Sequence, residues 1–286
     1  MIMDAAYAIA EERQPITVRG ICYVLFEQYG LIPDMSKAST NKVGIAIRKA
    51  REQGLIPLEW IVDGSRSTTT YDKGGWTSTA EYAREITQTN LYRRDHWAMQ
   101  PYKLEGWSEK GTIAGVVAEV LTEWGLDFKN FRGFNSASNL HVEAERSQLS
   151  TKPIVVLYIG DYDPSGLHMS EVDLPRRLEK YGGDVTIDRI ALRASDTVGR
   201  PGNDVTEKAK DPRYGWWVRE ELGNRFWELD AMDPRDLRER LRDAIASYVD
   251  AESWAMSLVK EDTEREDLDR FHDAIEQARR KHFGGL

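Results

Sequence analysis

The sequence of 286 residues contains a single cysteine, Cys22, and no long apolar run. One cysteine excludes both an intrachain disulfide and a zinc site built from several thiolates. Because no 18 consecutive residues are apolar, the sequence predicts no membrane-spanning helix. Its first fifteen residues have neither the basic start nor the apolar core of a signal peptide. These absences lead us to expect a cytoplasmic protein.

Charge is unevenly distributed along the chain. There are 39 Lys and Arg residues against 48 Asp and Glu residues, a net charge of -9. Residues 1–95 hold twelve basic and twelve acidic residues, so the whole imbalance lies in residues 96–286. Residues 37–51 carry five basic residues and no acidic one. The net charge argues against nucleic-acid binding, whereas this basic stretch indicates a local surface for phosphates.

The N-terminal part shows three short helical patterns and then an extended segment. The helices are predicted at residues 2–13, 18–29 and 40–53, the last capped by Ser39 or Thr40. This order is that of a winged helix-turn-helix domain, whose third helix contacts DNA. The residues expected to face DNA are Lys42, Arg48, Lys49 and Arg51. The alternative is a basic helix face that is merely solvated.

From residue 101 onward, strand patterns alternate with helix patterns. Strands are predicted at residues 102–108, 128–134, 153–161 and 184–192. Such alternation is typical of an α/β, Rossmann-like domain with a mainly parallel sheet. We therefore predict a winged-helix domain over 1–75, a connecting helix over 76–100, and an α/β domain with a helical C-terminal extension over 101–286.

Carboxylates follow two of the predicted strands. Glu109 comes at the end of the first strand, and Asp161 and Asp163 come at the end of the third. Alternation in an extended segment points Asp161 and Asp163 the same way. Carboxylate oxygens from neighbouring strand ends form the hard-oxygen site that Mg²⁺ prefers, and Mn²⁺ is expected to substitute. For any one of these acids, the alternative is a cap or turn residue.

The motif Glu109-Lys110, followed by Gly-Asp-Tyr-Asp-Pro-Ser-Gly at 160–166, resembles a Toprim domain. Toprim domains occur in topoisomerases, primases and related nucleases. The sequence is most similar to the topoisomerase VI A-subunit family, which includes meiotic double-strand-break proteins and stand-alone Mini-A relatives. In that family a winged-helix domain precedes the Toprim domain. The resemblance implies that Glu109, Asp161 and Asp163 bind catalytic Mg²⁺.

A second motif, Thr17-x-Arg19-x-x-x-Tyr23, resembles the tyrosine motif of the same family. The resemblance implies that Tyr23 attacks DNA and that Arg19 assists, while Cys22 replaces the first tyrosine of a common pair. Tyr23 lies off the apolar stripe of its helix and one turn from Arg19. The cation and the nearby metal are therefore expected to favour the phenolate. The alternative is an amphipathic tyrosine at a domain surface.

The resemblance also implies partners. It implies double-stranded DNA and a nucleoid-associated homodimer in which each tyrosine faces the partner's metal site. From their positions, Arg132 at a strand end and Lys110 beside Glu109 are expected to contact the DNA backbone, and the alternative for Lys110 is a surface lysine. The pattern G-x-x-x-x-G-K-[ST] is absent, and topoisomerase VI supplies ATP hydrolysis from a separate B subunit. The resemblance therefore implies that this chain either acts without ATP or has a B-type ATPase subunit as a partner. Two alternatives stay open: a Toprim nuclease that cuts with metal-activated water instead of Tyr23, and a non-catalytic DNA-binding regulator.

Overall fold

The computed structural model describes residues 2–62, 92–130 and 137–283. The chain forms two compact units, one from Met1–Ser67 with Tyr102–Tyr248, and one from Thr68–Pro101 with Val249–Leu286. The predicted domains 1–75 and 101–286 thus both contribute to the first unit. No helix in the described ranges is long and apolar enough to cross a membrane.

The N-terminal segment folds around its own apolar core. Its elements are α1 (Ile2–Arg13), β1 (Ile16–Thr17), α2 (Val18–Glu27), α3 (Lys37–Glu52) and β2 (Ile61–Val62). The helices pack through buried residues that include Ile9, Leu25 and Ile47. Strands β1 and β2 pair in parallel. The three predicted helices are confirmed. The winged helix itself stays a prediction, because most of the expected wing, residues 63–71, lies outside the described residues.

Helix α3 begins three residues before the predicted start at residue 40. Ser36 is the N-cap, and its side chain accepts a hydrogen bond from the amide of Ser39. Asp34 fixes the preceding turn, since its carboxylate accepts from both the Ser36 amide and the Ser39 hydroxyl. The predicted caps, Ser39 and Thr40, were therefore wrong: an upstream serine that is held by Asp34 takes the role.

A four-stranded parallel sheet forms the centre of the first unit. The strands are β3 (Lys103–Ser108), β4 (Asp127–Asn130), β5 (Ile154–Ile159) and β6 (Val185–Ala191), in the order β4-β3-β5-β6. Parallel strands need crossover connections, which helices supply here. They are α4 (Ile113–Trp124), α5 (Ala137–Gln148), α6 (Pro164–His168) and α7 (Leu174–Lys180), with a π-helical turn at Met169–Asp173 between the last two. This arrangement confirms an α/β fold that is compatible with a Rossmann-like domain.

Helices cover both faces of this sheet. Helices α5 and α7 pack together over a core that includes Trp107, Val156 and Tyr158. On the other face, α4 packs against α9 (Pro234–Tyr248), which also contacts β6. Between β6 and α9 the chain forms β7 (Asn203–Asp204), α8 (Tyr214–Arg219) and β8 (Arg225–Phe226), with β7 and β8 antiparallel. Strand β5 is apolar throughout because both of its faces are buried.

The second unit is built around a long helix, α10 (Ala251–Phe283), which forms most of the predicted helical C-terminal extension. A short 3₁₀ helix, His96–Met99, packs against it. The ring nitrogen Nδ1 of His96 lies 2.9 Å from the Ser257 hydroxyl. Residues 76–91 of the predicted connecting helix lie outside the described residues, and the four residues before His96 are not helical.

Candidate functional site

Parallel pairing brings the predicted carboxylates to one edge of the sheet. Ser108, the last residue of β3, pairs with the last residue of β5. Glu109 follows β3 directly, and residues 160–166, which we call the acid loop, follow β5. Asp161 and Asp163 both lie in the acid loop. The structure therefore places all three carboxylates at the same end of two neighbouring strands.

Burial and nearby negative charge raise the pKa of Glu109 and that of Asp161. Burial is the largest influence on Glu109, and the charges of Asp161 and Asp163 add to it, so that its pKa rises to about 7. Burial likewise raises the pKa of Asp161. A bound cation would relieve this repulsion between buried negative charges.

The acid loop turns tightly into helix α6. The Asp163 carboxylate accepts a hydrogen bond of 2.7 Å from the Gly166 amide and so caps the helix. A Cβ atom at Gly166 would lie 2.5 Å from the carbonyl oxygen of Asp161, which explains the glycine. The other Asp163 oxygen lies 2.9 Å from the ammonium of Lys208. Asp163 therefore shapes the loop as well as contributing charge.

Lys110 connects the acid loop to a residue far along the chain. Its ammonium lies 2.9 Å from Asp161 Oδ1 and 2.7 Å from Asp230 Oδ2. Burial opposes its charge, but the two carboxylates outweigh burial and raise the pKa of Lys110. Its charge is thus engaged within the protein, and its predicted contact with DNA stays a prediction.

The donor chemistry of this edge fits a divalent cation. Glu109, Asp161 and Asp163 offer the hard oxygens that Mg²⁺ prefers, in a group whose negative charge already raises the Glu109 pKa. These three carboxylates lie at the same end of the sheet but do not form a ready coordination site for a metal ion. Within residues 2–62, 92–130 and 137–283, no three His, Cys, Asp or Glu side chains converge closely enough to hold a metal.

Arg19 and Tyr23 project from the same side of α2, which Thr17 caps by accepting from the Gly20 amide at 2.8 Å. The Arg19 guanidinium lies 5.7 Å from the centre of the Tyr23 ring. Tyr23 does not belong to the N-terminal core, as its position off the apolar stripe predicted. It is nevertheless only 3% exposed, because it packs on another part of the first unit.

The surroundings of Tyr23 favour its neutral form. Burial raises the pKa of the Tyr23 hydroxyl most, Glu228 raises it further, and Arg19 lowers it only in part. Arg19 thus favours the phenolate, as expected, but burial and then Glu228 outweigh it, so the net pKa is raised. The guanidinium also forms a two-point ion pair with the Glu228 carboxylate.

Residues 227–231, which we call the linking segment, join α2 to the acid loop. The backbone of Trp227 pairs with that of Tyr162 through two hydrogen bonds of 2.9 Å. The Leu229 amide donates to Asp161 Oδ1 at 2.7 Å. On the other side, Glu228 holds Arg19, and Asp230 accepts from the Thr17 hydroxyl at 2.7 Å. A single segment therefore contacts both halves of the predicted site.

Sequence reasoning missed Glu228 and Asp230, although a signal existed. The segment Phe-Trp-Glu-Leu-Asp-Ala-Met at 226–232 places these two acids two residues apart. Acids two residues apart in an extended segment share a face, as the same reasoning recognised for Asp161 and Asp163. Asn203, whose amide lies 3.5 Å from the Tyr23 hydroxyl, carries no such signal.

The basic residues of α3 do not all face outward. Lys42, Arg48 and Lys49 are exposed, whereas Arg51 turns inward and donates to the Ile61 carbonyl at 3.3 Å. Arg51 therefore helps to attach α3 to β2 and is less accessible than the other three cations that are expected to face DNA. Arg132, the remaining residue expected near DNA, lies outside the described residues.

Comparison of the chain with protein-family models, curated proteins and solved structures found no match. The functional interpretation therefore depends on the motifs and on the geometry of this site.

Proposed function

We propose that this protein cleaves double-stranded DNA in a Mg²⁺-dependent reaction, as a relative of the Toprim and winged-helix proteins of the topoisomerase VI A type. In this proposal Tyr23 attacks a backbone phosphorus, assisted by Arg19, and a reversible phosphotyrosyl bond replaces one phosphodiester bond. Bound at Glu109, Asp161 and Asp163, Mg²⁺ would stabilise the charge that develops on the phosphate. The expected substrate surface includes the exposed cations of α3.

One observation carries the proposal: the linking segment joins the tyrosine helix to the acid loop within one chain. Glu228 holds Arg19, and the next two residues hold Asp161 and Lys110. Two motifs that lie some 140 residues apart in the sequence are thus held by consecutive residues. The homodimer and a separate ATPase subunit stay predictions.

A second candidate function has its own support. Tyr23 is buried, and its pKa is raised, which disfavours it as a nucleophile in the arrangement described. The acid loop does not depend on the tyrosine for its charge or its shape. The alternative is therefore a nuclease in which the same carboxylates and Mg²⁺ activate water, and the products carry no protein.

The test uses supercoiled plasmid, purified full-length protein and Mg²⁺ or Mn²⁺, with products denatured with and without protease. DNA that is trapped on protein and lost in Tyr23→Phe supports the tyrosine mechanism. Free nicked or linear DNA that persists in Tyr23→Phe but is lost in Asp161→Asn supports the nuclease. Absence of cleavage with either metal would reject both proposals and leave the non-catalytic regulator.

Tyr29→Phe is the matched control for this experiment. Tyr29 lies just after α2 and is 50% exposed, so its hydroxyl should not affect cleavage. Tyr23→Phe is a clean substitution, since its hydroxyl makes one long contact, with Asn203, among the described residues. We expect this variant to lose less than about 1 kcal/mol of stability.

A further inference from the structure

Arg189 is a buried arginine to which the sequence assigned no role. It lies on β6, opposite Tyr158 of β5, and is 8% exposed. Burying a guanidinium is unfavourable unless its donors are satisfied. The groups that accept hydrogen bonds from the Arg189 guanidinium therefore show which part of the protein it stabilises.

All five N–H groups of the Arg189 guanidinium have an acceptor, and none of these is a carboxylate. Nε donates to the Leu192 carbonyl at 2.8 Å. Nη1 donates to the Gly166 carbonyl at 3.0 Å and to the Ser170 hydroxyl at 2.6 Å. Nη2 donates to the carbonyls of Gly160, at 3.1 Å, and Asp161. The planar group thus uses its full donor capacity.

Four of these five acceptors lie at the two ends of the acid loop or just beyond it. Gly160 and Asp161 form its beginning, Gly166 its end, and Ser170 the π-helical turn beyond it. The guanidinium also lies 5.4 Å from the centre of the Tyr158 ring, and this cation–π contact helps to orient the plane of the guanidinium. One side chain therefore holds the entry and the exit of the segment that carries two of the three predicted metal ligands.

We propose that Arg189 is a positioning residue, which sets the conformation of the acid loop and thereby the positions of Asp161 and Asp163. The effect on cleavage rests on the proposed function, but the effect on the loop does not. A lysine at this position would keep the positive charge but lose the planar set of donors, because an ammonium cannot reach carbonyls at both ends of the loop at once.

A second buried arginine provides a matched control. Arg238 is 7% exposed and also donates to backbone carbonyls, those of Val116 and Gln14. Neither carbonyl belongs to the acid loop. Arg238→Lys should therefore reproduce the general cost of altering a buried guanidinium without its effect on the loop.

The experiment compares Arg189→Lys and Arg238→Lys by thermal unfolding, amide hydrogen exchange and plasmid cleavage. Both variants should be destabilised. Only Arg189→Lys should accelerate exchange of the Tyr162, Gly166 and Leu167 amides, which are hydrogen-bonded in and next to the loop. We expect about a tenfold faster exchange. For cleavage we expect kcat to fall by about 10- to 100-fold with little change in KM.

Unchanged exchange of these amides in Arg189→Lys, or equal acceleration in Arg238→Lys, would overturn the positioning role. If the wild type does not cleave DNA, the proposed function fails, while the exchange data still decide the role of Arg189. If Arg189→Lys does not fold, Ser170→Ala removes one acceptor only and should accelerate exchange of the Gly166 amide by a smaller factor, about two- to fivefold. No acceleration in that variant would equally count against the proposal.

Discussion

The buried ion network around Glu105 allows a quantitative stability prediction. Glu105 lies in the middle of β3, and its side chain has no exposed area. Arg146 of α5 donates to both carboxylate oxygens, one at 2.8 Å, and Lys129 of β4 lies 3.2 Å from the carboxylate. Burial raises the pKa of Glu105, but these cations outweigh burial and hold the pKa below its usual value.

Replacing Arg146 with methionine keeps the aliphatic stem and removes the charge. Loss of one partner of a buried ion pair costs about 3–5 kcal/mol. We expect about 3 kcal/mol, the lower limit, since Lys129 stays beside Glu105. For a unit of this size the melting temperature should fall by about 6–12 °C, measured by calorimetry. Because Glu105 and Arg146 interact directly, the Glu105→Gln, Arg146→Met double variant should lose less than the sum of the single losses.

The same network predicts how stability changes with pH. The folded-state pKa of Glu105 is lowered, so its contribution is complete above the unfolded-state pKa of about 4.3. It is lost as pH falls through the folded-state pKa. The stability advantage of the wild type over Glu105→Gln should therefore be full at neutral pH and shrink below about pH 4. Urea unfolding of both proteins at a series of pH values measures this difference in stability.

Arg242 is the control, since it also bridges two carboxylates, Glu119 and Glu123, but on the surface. Arg242→Met should cost less than about 1 kcal/mol. If Arg146→Met were no more destabilising than Arg242→Met, the buried ion pair would not have the stabilising effect inferred for it. A difference between wild type and Glu105→Gln that is independent of pH would contradict the lowered pKa of Glu105.

Three further predictions concern single residues. Gly166→Ala should lower the free energy of unfolding by about 1–3 kcal/mol, because the new methyl group would approach the Asp161 carbonyl; an unchanged urea midpoint would contradict this. Arg51→Ala should cost about 1 kcal/mol of stability and leave DNA affinity unchanged, whereas Lys49→Ala should weaken DNA binding without loss of stability. Fluorescence anisotropy and urea unfolding separate the two effects. Cys22 is buried, and burial raises its thiol pKa to about 11, so its alkylation should be at least about 100-fold slower in the native protein than in urea.

The main elements of the fold could be predicted because local pattern determines them. Strand β5 is a continuous apolar run, and such a run in an alternating strand–helix sequence indicates a buried parallel strand. The start of α3 was less predictable. Ser36, Ser39 and Thr40 are all competent caps, and the choice among them depended on a turn held by Asp34.

The candidate site was predictable only in part, for a physical reason. Regular pairing of parallel strands brings together the residues that follow the strand ends. The sequence therefore predicts that Glu109, Asp161 and Asp163 lie close to one another. The contacts of Glu228 and Arg189 depend on how separate elements pack, and no local pattern records that packing. The raised pKa of Tyr23 was not predictable for the same reason, because it results first from burial by packing and then from the charge of Glu228.

The contacts of α2 with the rest of the first unit have a consequence for synthesis of the chain. Thr17, Arg19 and Tyr23 bind residues that lie 213, 209 and 180 positions later. At about 5–20 residues per second, a ribosome needs about 10–40 s to supply those partners. Helix α2 can form its own small core with α1 and α3 long before then. Its attachment to the linking segment therefore has to wait until residues 228–230 have been synthesised, and a nascent chain stalled before residue 228 would carry folded N-terminal helices without an assembled site.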